Sequence, residues 1–397
     1  MSKLIDITGK ALSGEWGTDD ETGNGIPVLR TTNFTNEGIV DYSNVVTRTI
    51  TKKNIDEKYL KPGDIIIEKS GGSDKYPVGR VVFFDGPKDK YLFNNFTGLL
   101  RVRNTDKWYP RYVFYSLFGN YKKGGTKQFE NKTTGLHNLK TDDYVARYEV
   151  PDMIYERQVL ICNHLDKLLC IISKRKEQLQ KLDYLIKARF VEMFGDPITN
   201  PKGWEHITVG DVCSSIVRGP FGSALKKEFF VEPSDNTYKV YEQKHAIQKS
   251  ADIGTYYITA EKFAELKRFE CLPGDILMSC SGTMGELFQL PDGCERGIIN
   301  QALCKFTLNE RILPICFLTY MRQTIGNLET KGSGIQNIAA VSYVKAMPIN
   351  LPTMDVQEKF ADFVKQIDKS KVVVPSKIKN AIFVIMLSVS FVQITSI

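Results

Sequence analysis

Cationic, amide and hydroxyl side chains recur on glycine-containing turns in both halves of the sequence. Side chains of these types form hydrogen bonds with phosphate oxygens and with base edges in the major groove of DNA. One such cluster alone is equally typical of a solvated loop, so the prediction depends on the recurrence. The residues predicted to contact DNA are Arg30, Thr31, Asn33, Lys69, Ser70, Lys127, Asn131, Lys132, Arg218, Lys226, Lys227, Gln243, Lys244, Ser281, Lys331, Ser333 and Gln336.

The sequence lacks the motifs of a self-contained enzyme. It has no Gly-x-x-x-x-Gly-Lys-Ser/Thr phosphate-binding loop, and Gly332-Ser333-Gly334 lacks the third glycine of a dinucleotide-binding fingerprint. Asn200-Pro201 continues as Lys202-Gly203, which excludes the Asn-Pro-Pro-aromatic motif of enzymes that methylate the amino groups of bases. Pro291-Asp292 is not followed by the acid-x-Lys pattern of metal-dependent nucleases. We therefore predict a non-enzymatic protein without catalytic, cofactor-binding or metal-binding residues.

The composition is that of a folded protein with a basic surplus. The chain has 397 residues and a formal net charge of +7, which favours a polyanionic partner. Its eight cysteines contain no Cys-x-x-Cys pair, and the sequence shows no N-terminal secretory signal. We predict a cytoplasmic protein with free thiols and no membrane partner.

Two sequence patterns occur twice and in the same order. Pro62-Gly63-Asp64 returns as Pro273-Gly274-Asp275, and Gly135-Leu136-His137-Asn138 returns as Gly334-Ile335-Gln336-Asn337. Two patterns repeated about two hundred residues apart indicate two copies of one domain. Within each copy, short runs of β-branched and aromatic residues alternate with turns and a few helical stretches, which predicts an α+β fold.

A long amphipathic helix is predicted between the two copies. From Ile161 to Ile186 apolar residues recur at a 4-3-4 spacing that only Arg175 interrupts, and no Gly or Pro occurs before Gly195. A helix of about 40 residues would be roughly 60 Å long. Such a narrow stripe favours pairing with another long helix, and the alternative is an ordinary amphipathic helix that lies on a domain.

A second helix is predicted to start in the same way as the first. Gln357, Phe360 and Val364 match Gln158, Ile161 and Leu165. After residue 371 the sequences diverge, because Pro375 should end or kink the helix and a nearly unbroken apolar run follows. We favour an atypical or frame-altered C-terminus over a helix-packing segment, and both over a membrane anchor, since the run is shorter than the ~20 residues of a membrane span.

This order of elements resembles the specificity subunits of type I restriction-modification enzymes along about residues 1–370. The repeated Pro-Gly-Asp turns, the linker from Gly195-Asp196-Pro197 to Gly203-Trp204 and the helix starts at Gln158 and Gln357 carry the resemblance. It implies an α+β protein with two tandem target-recognition domains, separated by long helices that pair as an antiparallel coiled coil. The corresponding segments are the first domain (1–153), the central helix (154–195), the second domain (196–353), a shortened second helix (354–371) and an atypical apolar tail (372–397).

The resemblance also implies a function. Each domain would read one half of a bipartite, asymmetric target in double-stranded DNA, and the helices would set the spacing and dock the modification (methyltransferase) subunits. Restriction (motor-nuclease) subunits would complete the complex. S-adenosylmethionine, ATP and magnesium are then expected on those partners, with no cofactor on this chain. The alternatives are a coiled-coil adaptor that does not bind DNA, or a truncated or rearranged specificity subunit with impaired assembly.

Overall fold

The computed structural model describes residues 1–73, 76–133, 136–197, 199–325 and 341–372. The chain divides into two compact units, unit 1 (residues 1–176) and unit 2 (residues 177–372). The division falls inside a long helix. The predicted boundaries after residues 153, 195, 353 and 371 therefore stay predictions.

The described residues of unit 1 form small, mostly antiparallel sheets, three α-helices and the first part of a fourth. Its helices are α1 (Leu4–Thr8), α2 (Pro110–Lys122), α3 (Thr141–Arg147) and α4 (Tyr155–Phe194), which continues into unit 2. Its strands are β1 (Ser2–Lys3), β2 (Leu12–Ser13), β3 (Thr18–Asp19), β4 (Ile26–Leu29), β5 (Val46–Thr49), β6 (Ile65–Glu68), β7 (Ser70–Gly72), β8 (Val81–Phe83), β9 (Leu92–Phe93), β10 (Thr97–Leu100), β11 (Glu130–Thr133), β12 (Leu136–Leu139) and β13 (Glu149–Val150).

Unit 2 contains the last part of α4 and its own sheets and helices. Its further helices are α5 (Gln243–Gln248), α6 (Ala260–Glu265), α7 (Pro314–Thr324), α8 (Val341–Lys345) and α9 (Met354–Val372). Its strands are β14 (Glu205–Thr208), β15 (Cys213–Arg218), β16 (Thr237–Tyr241), β17 (Tyr257–Thr259), β18 (Glu270–Cys271), β19 (Ile276–Ser279), β20 (Leu287–Gln289), β21 (Gly297–Ile299), β22 (Leu303–Leu308) and β23 (Pro348–Leu351).

The two units share one sheet topology. The central sheet has the order β2-β10-β6-β8 in unit 1 and β15-β22-β19-β20 in unit 2, and every pairing in both is antiparallel. A second sheet contains one parallel pair in each unit, β4 with β9 and β16 with β21. The prediction of an α+β fold with two similar domains is confirmed. The copies differ at the edges of the second sheet, because the additional strand β3 pairs with β5 at one edge in unit 1, whereas β18 pairs with β21 at the opposite edge in unit 2.

The central sheet of each unit contains a strand that is buried on both faces. In β6, Ile65 and Ile67 pack against the helices, whereas Ile66 packs toward the second sheet. In β19, Ile276 and Met278 face the helices and Leu277 faces the other way. Successive side chains of a strand point to opposite faces, so an unbroken apolar run is what a strand covered on both sides requires.

The repeated Pro-Gly-Asp triplet forms the turn that leads into this strand. The Asp64 carboxylate accepts a hydrogen bond from the N–H of Lys61 at 2.7 Å, and the Asp64 N–H donates to the Lys61 carbonyl at 3.0 Å. Asp275 makes the same two bonds with Leu272, at 2.9 and 3.1 Å. The glycines have φ of +97° and +88°, a region that favours glycine. The triplet recurs because glycine adopts the positive φ of the turn and the aspartate carboxylate accepts the hydrogen bond that closes it.

Different partners hold the two aspartates from the neighbouring strand. Arg101 donates from Nε and Nη2 to the two Asp64 carboxylate oxygens, each at 2.7 Å. In unit 2 the corresponding residue is Thr307, whose hydroxyl donates to Asp275 at 2.6 Å. Lys305 adds an ion pair with Asp275 at 3.2 Å. The turn is thus the same in both units, whereas the side chains that bind its aspartate differ.

A buried glutamine joins the long helix of each unit to the start of a shorter helix. The Gln158 side-chain oxygen accepts from the N–H of Tyr109 at 2.9 Å, and its amide donates to the carbonyls of Lys107 and Met153 at 2.9 and 2.8 Å. Tyr109 precedes α2, whose first N–H groups have no partner within the helix.

Gln357 makes the equivalent three bonds in unit 2. It accepts from the N–H of Leu313, which precedes α7, at 2.9 Å, and it donates to the carbonyls of Arg311 and Pro352, both at 3.0 Å. Gln158 and Gln357 are 0% and 1% exposed. All three bonding groups of each glutamine are therefore satisfied out of contact with water.

The last part of α4 packs against α9 within unit 2. The Phe360 ring centroid lies 5.4 Å from that of Phe190 and 5.3 Å from that of Phe194. At the other end, the Lys371 ammonium lies 2.8 Å from the Asp183 carboxylate. Earlier residues of α4 contact later residues of α9, so the two helices are antiparallel, as predicted.

The predicted C-terminal tail (372–397) lies, after Val372, outside the described residues. Helix α9 extends to Val372, one residue beyond the predicted end at 371. The interpretation of the tail stays a prediction. Among the described residues, no helix has the length and hydropathy that crossing a membrane requires.

Replacing Gln357 by alanine should destabilise unit 2. The variant would leave the N–H of Leu313 and two carbonyls without partners in a buried place, which costs about 1–3 kcal/mol in the free energy of unfolding. Urea unfolding measures the change. Gln366→Ala, at an exposed position of the same helix, is the matched control. Equal stability of the two variants would contradict the role of Gln357.

Candidate nucleic-acid interface

Lys69 and Ser70 lie where the doubly buried strand β6 ends. Their N–H groups donate to the carbonyl of Phe96, at 2.8 and 3.2 Å, so the strand end and the turn before β10 are joined through the backbone. The Lys69 ammonium donates to the Ser13 hydroxyl at 2.9 Å. We call the five residues of this region, Ser13, Lys69, Ser70, Asn95 and Phe96, the strand-end corner of unit 1.

The strand-end corner borders a polar pocket. The pocket has a volume of about 550 Å³ and is lined by all five corner residues, together with Asn138, Thr141, Asp142 and others. Asn138 pairs with Ser70 on one side and with Asn131 on the other in the sheet β11-β12-β7. Residues directly opposite each other in neighbouring strands present their side chains on one face. The sheet therefore places two predicted DNA contacts, Ser70 and Asn131, in one polar row.

Lys69 is a partly desolvated cation. Burial lowers the pKa of its ammonium, although the neighbouring Asp142 raises it, and the nearby Lys58 lowers it further. Burial opposes a charge, and an anion placed next to the charge offsets that cost. A phosphate group would therefore be stabilised at this position.

The strand register identifies the corresponding corner in unit 2. Ser13 pairs with Gly98, which pairs with Ile67, and Arg218 pairs with Cys304, which pairs with Met278. The Cys280 N–H donates to the Ala302 carbonyl at 2.8 Å, as Lys69 does to Phe96. The strand-end corner of unit 2 therefore consists of Arg218, Cys280, Ser281, Gln301 and Ala302.

A basic residue occurs in both strand-end corners, but on different strands. In unit 1 the cation is Lys69, at the end of β6, and its neighbour on β2 is Ser13. In unit 2 the cation is Arg218, at the end of β15, and the residue that corresponds to Lys69 is Cys280. Each strand-end corner therefore contains one basic residue, although Lys69 and Arg218 do not occupy equivalent positions in the sequence of the two copies. Arg218 is 8% exposed, and its guanidinium carbon lies 5.1 Å from the centroid of the Phe221 ring.

Asn33 is a structural residue in this protein. Its side-chain oxygen accepts from the N–H of Arg30 at 2.9 Å, and its amide donates to the carbonyls of Asp41 and Asn44, both at 3.0 Å. It is 2% exposed. The prediction that Asn33 contacts DNA is not supported by this position, because a short helical turn uses its polar atoms. Arg30 and Thr31, next to it, are half-buried.

His245 occupies the place of Asn33 in unit 2. Its Nδ1 accepts from the N–H of Glu242 at 2.8 Å. Its Nε2 lies 2.6 Å from the carbonyl oxygen of Ile253, and it must carry a proton to donate a hydrogen bond to that oxygen. The two helical starts thus use an amide and an imidazole for the same bond. Burial lowers the pKa of His245, an effect to which Lys239 adds, whereas bonds to Glu242 and Ile253 raise it.

Gln243 and Ser281 contact each other beside the strand-end corner of unit 2. The Gln243 amide donates to the carbonyls of Ser281 and Thr283, the latter at 3.1 Å. The neighbouring Lys244 ammonium lies 5.3 Å from the Tyr256 ring centroid and forms an ion pair with Glu242. The structure therefore brings three predicted contacts of unit 2 into one region.

The remaining predicted residues are placed as follows. Lys127, Asn131, Lys226 and Lys227 are exposed, and Lys132 belongs to β11. Lys331, Ser333 and Gln336 lie outside the described residues. Within the described part of the chain, no group of three His, Cys, Asp or Glu side chains could hold a metal ion.

Of the residues that line the pocket in unit 1, the predicted contacts include Lys69 and Ser70. Six further polar or aromatic residues of the lining are not among them: Ser13, Asn95, Phe96, Asn138, Thr141 and Asp142. Asn138 carried a signal, because it recurs as Asn337 in the second copy. Phe96 carried none, since an isolated phenylalanine is most often a core residue.

The two units thus share a fold and each has a polar strand-end corner. Residues 201–382 match the family described as "Type I restriction modification DNA specificity domain". The whole chain is similar in fold to a chain from a structure of complex assembly and conformational transition of the type I R-M system, with a TM-score of 0.57, 14% identity, and coverage of 98% of this chain and 96% of that one.

A second solved structure shows the same fold. It is the type I restriction-modification system S subunit from M. genitalium, with a TM-score of 0.50, 14% identity, and coverage of 98% of this chain and 94% of that one. No curated protein matches the chain. The family match thus covers most of the second unit, and the fold of the whole chain is that of the two solved structures. The resemblance seen in the sequence is thereby confirmed.

The stability of unit 2 should fall as the pH is lowered, because of His245. Its pKa in the folded unit is lowered below the ordinary value of 6.5, so the unfolded chain takes up the proton first. This contribution is complete above pH 6.5 and is lost as the pH falls toward the folded-state pKa.

Urea unfolding between about pH 8 and pH 5 measures this dependence. His245→Asn, which copies the residue that unit 1 uses at this place, is the matched variant. It should keep the bond to Glu242 and flatten the dependence. An unchanged pH profile in this variant would show that His245 does not cause it.

Proposed function

We propose that each unit reads one half of a bipartite, asymmetric target in double-stranded DNA through its strand-end corner and the adjacent turns. One observation carries the proposal. The two units share the central sheet, the Asp turn and the buried glutamine, whereas the polar residues of the two corners differ. A common framework with different side chains at one place is what reading two different sequences requires.

The presence of Lys69 in one strand-end corner and of Arg218 in the other supports contact with a polyanion. A basic residue kept at one place, but provided by different strands, indicates selection for charge at that place. The two cations are not interchangeable as readers, since arginine binds the O6 and N7 of guanine with two bonds, whereas lysine acts as a point charge. The two half-sites are therefore proposed to differ.

We also propose the roles of the long helices and of the partner subunits. Helix α4 has 40 residues and so a length of about 60 Å, compared with about 34 Å for one turn of DNA. Its length suits a spacer between half-sites that lie more than one turn apart. The helices would also dock the modification subunits, and restriction subunits would join them. S-adenosylmethionine, ATP and magnesium are proposed to bind to those partners, in the cytoplasm.

Methylation mapping tests the proposed function directly. Cells that carry this chain and its modification partner should show adenine methylation at a two-part, asymmetric sequence with a fixed gap. A one-part or symmetric motif would contradict the division of the target between two different units. A truncated or rearranged subunit with impaired assembly would give no methylated motif.

Replacing Lys69 by glutamine should weaken DNA binding in a salt-dependent way. Each phosphate contact contributes about −0.9 to the slope of log affinity against log salt, so the variant should lose about one such contribution. Titration of labelled duplex with the full chain at several salt concentrations measures the slope. Lys365→Gln, which removes an exposed charge from α9, is the charge-matched control. A flat salt response of the unmodified chain would favour the adaptor instead.

A further inference from the structure

Two phenylalanines of the described chain are largely exposed. Phe96 is 52% and Phe221 is 63% exposed, whereas the other described phenylalanines are buried or half-buried. Isolated exposed apolar residues are common on protein surfaces and need no special explanation. These two, however, are not scattered, because Phe96 belongs to the strand-end corner of unit 1 and Phe221 lies beside that of unit 2, against Arg218.

Each phenylalanine lies just beyond a close contact between two segments of its unit. One segment contains Gly14 or Gly219, and the other contains Asn94 or Asn300. A Cβ on Gly14 would lie 2.1 Å from the carbonyl oxygen of Asn94, and a Cβ on Gly219 would lie 1.9 Å from that of Asn300. Glycine is thus required where the two segments touch, in both units. Phe96 is two residues beyond Asn94 in one segment, and Phe221 is two residues beyond Gly219 in the other.

The backbone of Phe96 and the ring of Phe221 are held by neighbouring residues. The carbonyl of Phe96 accepts the N–H groups of Lys69 and Ser70, at 2.8 and 3.2 Å. The Phe221 ring lies against the Arg218 guanidinium, with 5.1 Å between the ring centroid and the guanidinium carbon. The Phe96 backbone is thus bonded to that of Lys69, the cation of one corner, and the Phe221 ring lies against Arg218, the cation of the other. A phenyl ring has no hydrogen-bonding group and cannot form the hydrogen bonds by which most base edges are read.

We propose that Phe96 and Phe221 are wedge residues that stack on, or insert between, the bases of the half-site that each unit reads. This proposal rests on the proposed function. Proteins that insert apolar side chains between base steps unstack and kink the duplex, and nearby cations bind the phosphates that the kink brings closer. Each half-site would then be read partly by how easily its base step opens.

The experiment uses the full chain with its modification subunits and duplexes that contain the mapped target. 2-Aminopurine, which fluoresces more strongly when unstacked, replaces one adenine at a time in each half-site. Binding of the unmodified chain should raise the fluorescence in both halves. Phe96→Ala should abolish the rise in one half and Phe221→Ala in the other, with affinity reduced about 5- to 150-fold.

Matched variants separate stacking from folding. Phe96→Trp and Phe221→Trp should retain the rise, because the larger ring also stacks. Tyr343→Ala removes an aromatic ring that is 62% exposed on α8 and should change neither fluorescence nor affinity. Both alanine variants keep the backbone bonds at the corner, and thermal unfolding checks that they remain folded.

Two results would overturn the wedge role while leaving the proposed function intact. One is sequence-specific binding by the unmodified chain without any rise in fluorescence. The other is a rise of the same size in the alanine variants, with unchanged affinity. Binding without sequence preference by the unmodified chain would instead refute the proposed function, and the wedge role with it.

Discussion

The structure of each unit depends on one strand that is covered on both faces. Because β6 and β19 have helices on one side and a second sheet on the other, none of their residues can be left polar without a buried partner. The strand must therefore begin at a turn that satisfies its own hydrogen bonds. Asp64 and Asp275 provide this turn. The strand can meet solvent only at its far end, which is where the strand-end corners lie.

Much of this framework could be predicted from the sequence because its requirements are local. A Pro-Gly-Asp turn needs glycine at a positive φ and an aspartate three residues from the N–H it accepts, so the triplet is conserved between the copies and visible. The periodic stripe of α4 predicted a helix that the structure shows from Tyr155 to Phe194. Such patterns need only nearby residues to be recognised.

The strand-end corners could not be predicted to the same extent, because they depend on register between distant strands. Lys69 and Arg218 share a position only after β2 is paired with β10 and β15 with β22. The residue type of Asn33 predicts a contact with a base edge, whereas its three bonds to backbone groups depend on segments that only the fold brings together. Phe96 is not among the predicted contacts, because residue type alone does not show whether a side chain is exposed.

The glutamine bonds have a consequence for how such a protein can change. Gln158 and Gln357 each bind three backbone groups and no side chain, and the residues that supply those groups differ, Lys107 and Tyr109 in one unit and Arg311 and Leu313 in the other. The glutamine therefore binds these backbone groups whatever side chains the residues carry. A domain with an unrelated surface sequence can be attached to the helix through the same three bonds, which makes the sheet-containing part of each unit exchangeable.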